Sequence, residues 1–441
     1  MSTFAVSTLG CKVNSYESQA YIQGLLDLGY EQVDFKEVAD IYLINTCAVT
    51  NTAGSKSRQK IHQAVKQNPQ AFIVAVGCYV QTSTQKARAE LNVDLVIGSD
   101  HKHDLAKLID QAYHAHEKVD FVADVKEIKD FEALPIHQFY HQTRAYLKVQ
   151  DGCNQFCSYC IIPYARGRER SLNPNEAIRI AKQFCENKHS EIVLAGIHTG
   201  RYGHDINTSL TDLLKRMLNE VEGLKRIRIS SIEINECSDE LIELMANEPR
   251  IAAHLHVPVQ SCSNRILKLM NRPYTIEEFI ERVSEIRKRI KRISISTDII
   301  VGFPSESDAD FQETVENLKK LNFSFMHVFP YSKRSGTKAE LMVGHLNGAI
   351  KKSRAKELNR MSKEQYARFA ESFIGQEVEV LFETMENDEW CGHSSEYLPV
   401  AVKSSQDLSN SLRKVIIEKT VNERCYGRIK EDDEYEIISN V

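Results

Sequence analysis

Hydrophobic and polar positions follow one rhythm over most of this chain and another near its end. In the first 115 residues, short apolar runs at 4–8 (FAVST), 41–46 (IYLINT) and 71–77 (AFIVAVG) alternate with stretches such as 15–29 (SYESQAYIQGLLDLG), whose apolar positions recur every three or four residues. Strand-length runs between helical patterns predict an α/β unit with a parallel sheet. Residues 116–140 weaken into an acidic, aromatic-spotted stretch that reads as a connector. From 141 to 374 the alternation resumes with six apolar runs, at 145–150, 191–196, 226–234, 254–260, 294–303 and 325–331. Helical patterns separate most of them and another follows at 349–373, so an open (β/α)6 barrel is expected, with its chemistry on the loops after the strands. From 375 to 441 the runs are short and strand-like (EVEVLF, LPVAVKS, KVIIEK, YGRIK), which predicts a small all-β barrel. The fold class is α/β, in three units.

Composition narrows the class. With 42% hydrophobic and 27% charged residues, the chain has the balance of a soluble globular protein. No apolar run approaches the roughly 18 residues of a membrane span, so no membrane association is expected. The start MSTFAVSTLG lacks the basic and apolar regions of a secretory signal, and a cytoplasmic location is expected. Eleven cysteines, an odd number, then suggest thiols or metal ligands rather than disulfides. A net charge of −5 argues against coating nucleic acid by bulk electrostatics, so any RNA contact must be local. Two basic groups stand out: 282–292 (RVSEIRKRIKR), readable as a solvated helix face, and Arg166, Arg168 and Arg170.

The sharpest motif is Cys153, Cys157 and Cys160, a CxxxCxxC directly after the run 145–150 and the turn Asp151-Gly152. Three thiolates on one loop hold three irons of a [4Fe–4S] cube and leave the fourth iron without a protein ligand. Structural zinc would take four ligands as two tight pairs, and no fourth Cys or His follows within a few residues. An open iron can chelate the amino and carboxylate groups of S-adenosylmethionine (SAM) and pass an electron into its sulfonium. Cys11, Cys47 and Cys78 each lie at the end of an N-terminal apolar run. Singly, each would read as a core cysteine. In a parallel sheet, however, all strand C-termini share one edge, so the three should meet in space and form a second three-cysteine [4Fe–4S] site. Cys185, Cys237, Cys262, Cys391 and Cys425 share no position or tight spacing and read as inert.

The loop DGCNQFCSYCIIPYARG resembles the radical SAM superfamily. Taken with TLGCKVNSYES at 8–18, NTCAVTNTA at 45–53 and VGC at 76–78, it makes the whole chain similar to the methylthiotransferase family. The resemblance implies an N-terminal methylthiotransferase domain, a radical SAM domain and a TRAM-like C-terminal barrel that binds RNA. It assigns Cys11, Cys47 and Cys78 to an auxiliary cluster, Cys153, Cys157 and Cys160 to the SAM cluster, and Tyr159 to the SAM adenine. Placement at strand ends nominates Gly196 for close backbone approach to SAM, Glu233 and Gln260 for its polar groups, and Val301 for adenine. LGCKVNSYES, CNQFCSYCIIPYARG and HVFPYSKRSGTKA most resemble the branch acting on N6-threonylcarbamoyladenosine at position 37 of tRNA.

The implied reaction is 2-methylthiolation of that base in the anticodon loop. One SAM methylates a sulfur held at the auxiliary site, and a second yields a radical that removes the hydrogen at carbon 2. An electron donor such as flavodoxin or ferredoxin and a sulfur source complete the partners. Lys333 and Arg334 are candidate readers of the threonylcarbamoyl group, their plainer role being surface charge. Rival readings are a methylthiotransferase for a ribosomal-protein aspartate or for isopentenyladenosine, and, from another class, a non-catalytic iron–sulfur RNA-binding protein. Two features depart from the family pattern. Ser305 stands in GFPSES where a glycine is expected, so the turn there is expected to differ. Residues 375–441 carry fifteen Asp and Glu against seven Lys and Arg, which is acidic for an RNA-binding barrel.

Overall fold

The computed structural model describes residues 1–136, 139 and 142–430. The N-terminal unit is a six-stranded parallel sheet in the order Glu31–Gln32, Thr3–Thr8, Ile41–Thr46, Phe72–Gly77, Leu95–Ile97 and Val119–Phe121. Its central strands are apolar runs because both faces are covered. Phe4, Leu43, Val74 and Val76 pack with Tyr16, Leu25, Leu105 and Ile109 on one side. Tyr42, Ile44, Ile73 and Ala75 pack with Ile61 and Ala64 of the helix Asn51–Gln67 on the other.

The central unit has six parallel strands in chain order. Arg144–Lys148, Glu191–Ala195 and Arg226–Ile229 form one sheet, and His254–His256, Ser294–Val301 and Phe325–Pro330 form another. Single bridges, Ile227 to Ile251 and Ser231 to His256, join the two into one open barrel. Each of the six expected strands is therefore present. The C-terminal unit is a closed five-stranded barrel with neighbours Glu377–Glu386, Glu389–Ser394, Pro399–Val402, Arg424–Ile429 and Leu412–Val421. It is fixed to the strand Arg226–Ile229 by two buried arginines. Arg228 pairs with Glu191 at 2.8 Å and donates to the Ser394 and Ser395 carbonyls, while Arg226 bridges Glu191 and Glu379.

The structure adds detail in four places. The stretch after 115 is not a slack connector: Val119–Phe121 is the last strand of the sheet, and Leu134, Ile136 and Phe139 are buried in the core shared with the central barrel. The strand Glu389–Ser394 falls in a stretch without an apolar run. Of the fifteen C-terminal acids, the five at 431–436 lie outside the described residues. Ser305 adopts φ +65°, the left-handed conformation glycine favours, held by hydrogen bonds to the Gly344 and Val343 carbonyls, so serine takes the turn a glycine would take. No described helix is long and apolar enough to cross a membrane.

Candidate active site

The parallel sheet brings Cys11, Cys47 and Cys78 to one edge, after the neighbouring strands Thr3–Thr8, Ile41–Thr46 and Phe72–Gly77. Cys11 is the N-cap of the helix Lys12–Asp27, and Cys78 opens the helix Cys78–Thr82. Helix N-termini favour negative charge, as a set of thiolates requires. The approach is close: a Cβ on Gly10, which has φ +111°, would lie 3.1 Å from Cys47 Sγ. Asn14 pins the loop by donating to the Leu9 and Thr46 carbonyls at 2.7 and 3.1 Å. Burial, then the nearby Cys78 and Cys11 thiols, push the Cys47 thiol above its ordinary value, although a backbone hydrogen bond opposes them.

The second loop follows the strand Arg144–Lys148. Gly152 starts it with φ +70°, and a Cβ there would come 1.8 Å from the Arg168 carbonyl oxygen, so only glycine fits. Phe156, at φ +48°, turns the chain between the first two cysteines. The Ser158 amide donates to the Met270 carbonyl at 3.0 Å and its carbonyl accepts from Ala339 at 2.7 Å, tying the loop to the barrel mouth. Cys153 Sγ lies 3.4 Å from His198 Nδ1, and Arg272 donates to Cys157 Sγ at 3.6 Å. Burial works against the charged form of His198, but hydrogen bonds to Cys153 and Glu236 raise it to about 10.

All six cysteines are free thiols. Both donor sets suit a [4Fe–4S] group: three thiols each, with a buried guanidinium beside one of them, Arg166 Nε at 3.3 Å from Cys78 Sγ and Arg272 at Cys157. Burial pushes the Cys185, Cys237 and Cys425 thiols up to about 11, 12 and 11, and it pushes Cys160 of the second loop up to about 12 as well.

Arg166 joins the two halves. It is fully buried and donates to Glu17 at 2.9 Å, to both Asp151 oxygens at 3.2 Å and to Asn14 at 2.9 Å. Lys102 and Lys148 reach Glu17 at 2.8 and 3.3 Å, and Lys148 reaches Asp151 at 2.6 Å. Arg170 is buried too, so two of the three arginines read as a basic patch are internal, and only Arg168 is exposed. The other basic stretch is a solvated helix face, with Arg282 and Arg289 paired to Asp239.

The residues nominated for SAM lie on barrel strands or the loops after them. Tyr159 packs beside Phe303 and Tyr331. Glu233 pairs with Arg272, which links it to Cys157. Gln260 holds φ +69° while its amide and carbonyl bond to Asp298 and Ile300. Val301 is buried at the end of its strand. Gly196 lies against Gln150, which a Cβ would meet at 3.1 Å. Lys333 and Arg334 sit elsewhere, at the start of the helix Asn51–Gln67. Asn51 donates to the Lys333 carbonyl at 2.6 Å, and Arg334 donates to Asn51 at 3.3 Å. Glu17 and Arg166 fall inside the runs TLGCKVNSYES and DGCNQFCSYCIIPYARG, which by themselves gave neither residue this role, and Arg272 and His198 lie in no motif.

Below Cys11 a cavity of about 730 Å3 opens between the N-terminal loop, the barrel interior and the C-terminal barrel. Lys12, His254, His256, Asp298, His327 and Tyr397 line it.

The Radical SAM superfamily matches residues 147–318, and the family described as uncharacterized protein family UPF0004 matches residues 3–98. The chain is 41% identical, over 98% of both chains, to the threonylcarbamoyladenosine tRNA methylthiotransferase MtaB of Bacillus subtilis (strain 168). It is 38% identical to the tRNA-2-methylthio-N(6)-dimethylallyladenosine synthase of Moorella thermoacetica, over 86% of this chain and 87% of that one. Among solved structures, the radical SAM methyltransferase TsrM of Kitasatospora setae has a like fold at 13% identity and TM-score 0.56, covering 74% of this chain and 75% of that chain. With near-complete coverage by relatives of this identity, the chain belongs to the radical SAM methylthiotransferase family.

Proposed function

We propose that this chain methylthiolates carbon 2 of N6-threonylcarbamoyladenosine at position 37 of tRNA. The observation that carries the reading is the end-to-end identity with the Bacillus subtilis relative, whose name states that activity. It is supported by two sets of three free cysteines, each set beside a buried arginine. Carbon 2 of adenine bears an unactivated C–H bond that no side-chain base deprotonates usefully near neutral pH. A [4Fe–4S] cluster at Cys153, Cys157 and Cys160 with SAM supplies radical chemistry for that bond, and a second at Cys11, Cys47 and Cys78 supplies a place for the sulfur.

The chain's own residues do the rest. Arg272 holds Glu233 and Cys157 in one hydrogen-bonded row at the barrel mouth. Tyr159, Gly196, Glu233, Gln260 and Val301 are the proposed SAM contacts. The Arg166 network holds the cysteine sets in fixed relation. A flavodoxin- or ferredoxin-type donor, a cytoplasmic location and an anticodon loop whose target base leaves its stack belong to the same reading. The relatives named for dimethylallyladenosine suggest a second substrate with an apolar tail. The cavity at Cys11 offers Lys12, three histidines and Asp298 to the polar one, beside an apolar wall that includes Phe325, Phe329 and Leu398.

The test is anaerobic reconstitution, incubation with SAM, dithionite and tRNA bearing threonylcarbamoyladenosine, and mass spectrometry of the nucleoside digest. The 2-methylthio nucleoside is expected. 5′-Deoxyadenosine without it would replace the substrate; neither product from protein holding both clusters would sink the enzymatic reading.

A further inference from the structure

The cavity beneath Cys11 contains a cation without a partner. Lys12 lines it, and among the described residues its ammonium makes no hydrogen bond or ion pair. The neighbouring cations are already engaged: Arg144 with Glu383 at 2.9 Å and Arg228 with Glu191 at 2.8 Å. The acids on the wall are engaged as well. Asp298 lies 3.4 Å from His256 Nε2, Glu396 accepts from Ser394 at 2.9 Å, and Glu423 lies 3.9 Å from Lys363. His254, 7% exposed and stacked on Tyr397 at 5.0 Å, lines the same cavity with its Nδ1 buried and unbonded. Its Nε2 and His256 Nδ1 both approach the Ser296 hydroxyl, at 3.3 and 3.0 Å.

A half-buried ammonium with no partner among the described residues and a buried, unbonded imidazole nitrogen in one cavity leave two polar groups for a ligand to complete. The ligand that fits is an anion carrying further hydrogen-bonding groups, set against the aromatic side chains of Phe325, Phe329 and Tyr366. Lys12 follows Cys11 directly, so a base presented to the auxiliary site places an adjacent substituent within the reach of Lys12.

We propose that this cavity takes the N6 substituent of the target adenosine, with the Lys12 ammonium pairing its carboxylate and the Ser296, His254 and His256 group meeting its hydroxyl and carbamoyl. This rests on the substrate reading above and moves recognition of the carboxylate away from Lys333 and Arg334, which lie beside the helix that follows Cys47.

The experiment uses reconstituted full-length enzyme and two synthetic anticodon stem-loops, one bearing threonylcarbamoyladenosine and one bearing its carboxamide. Wild type is expected to prefer the carboxylate by about tenfold to hundredfold in kcat/KM, the range for a charge-assisted contact. Lys12→Met is expected to bring that ratio to about one, chiefly through KM, at unchanged iron content; Lys12→Arg is expected to restore part of it. Retention of the preference in Lys12→Met overturns the assignment. Its loss together with iron overturns it too, since Lys12 would then serve the cluster. Loss in Arg334→Gln with Lys12→Met unaffected returns the carboxylate to Arg334. If Lys12→Met does not fold, Ser296→Ala carries the test, and an unchanged KM for the carboxylate stem-loop in that variant overturns the proposed subsite. No methylthio product from wild type on the carboxylate stem-loop refutes the substrate reading itself.

Discussion

Replacing Arg166 by methionine keeps most of the buried stem and removes the guanidinium that donates to Glu17, Asp151, Asn14 and Cys78. Burial alone would raise the Glu17 carboxyl, but Arg166, Lys102 and Lys148 outweigh it and hold the group well below its ordinary 4.5. Asp151, likewise buried, is held well below 3.8 by Lys148, Arg166 and Arg170. Removing one partner from a buried network of this kind costs about 3–5 kcal/mol. Lys102 and Lys148 remain to answer the two carboxylates, which favours the lower end. At about 2–4 °C per kcal/mol, the first thermal transition by circular dichroism should fall by roughly 6 °C or more. The sign with pH follows from the depressed carboxyls: their contribution is present above the unfolded values and lost as pH falls through the lower folded ones. The gap between wild type and Arg166→Met is therefore full at pH 7 and narrows below about pH 4, as Glu17 takes up a proton in the variant first. A transition unmoved at pH 7, or a gap that widens in acid, refutes this account of the network.

Other perturbations separate the two cysteine sites. Substituting Cys11, Cys47 and Cys78 by alanine together should roughly halve the iron bound after reconstitution while the Cys153 site still cleaves SAM, and an unchanged iron content would dismiss the second cluster. Gly152→Ala forces a Cβ to within 1.8 Å of the Arg168 carbonyl at φ +70°, so iron at the SAM site should be lost, read by absorbance near the cluster bands. Arg272→Met leaves Glu233 and Cys157 without their shared donor. It should slow SAM cleavage by about tenfold or more, measured as 5′-deoxyadenosine, with an unaffected rate counting against that role.

The strands were legible because strand-length apolar runs separated by helical periods have few other outcomes, and the edge that gathers Cys11, Cys47 and Cys78 follows from parallel topology. The strand Glu389–Ser394 was not, since it is only six residues long and Glu389, Gly392, His393 and Ser394 leave no apolar alternation to read. Charge misled in one place: Arg166 and Arg170 look like a surface patch in one dimension and are internal in three, because nothing local shows that Glu17 and Asp151 will meet them. Lys12 had the same invisibility, its lack of a partner among the described residues being a property of three units that close one cavity.

The charged seam has a geometric reason that an apolar one would not satisfy. Glu17 lies on the helix capped by Cys11, Arg166 touches Cys78, and Asp151 stands two residues before Cys153. A sliding apolar contact tolerates shifts of an ångström at little penalty, whereas hydrogen-bonded ion pairs hold direction as well as distance. A reaction that joins a sulfur held at one site to a carbon activated at another gains from fixed placement, and an error of about 1 Å costs orders of magnitude in rate. Buried ion pairs seldom add net stability over apolar packing. Their presence between the two cysteine sets is therefore better accounted for by registration of one set against the other than by stability, and Arg166→Met should harm product formation more than it harms SAM cleavage alone.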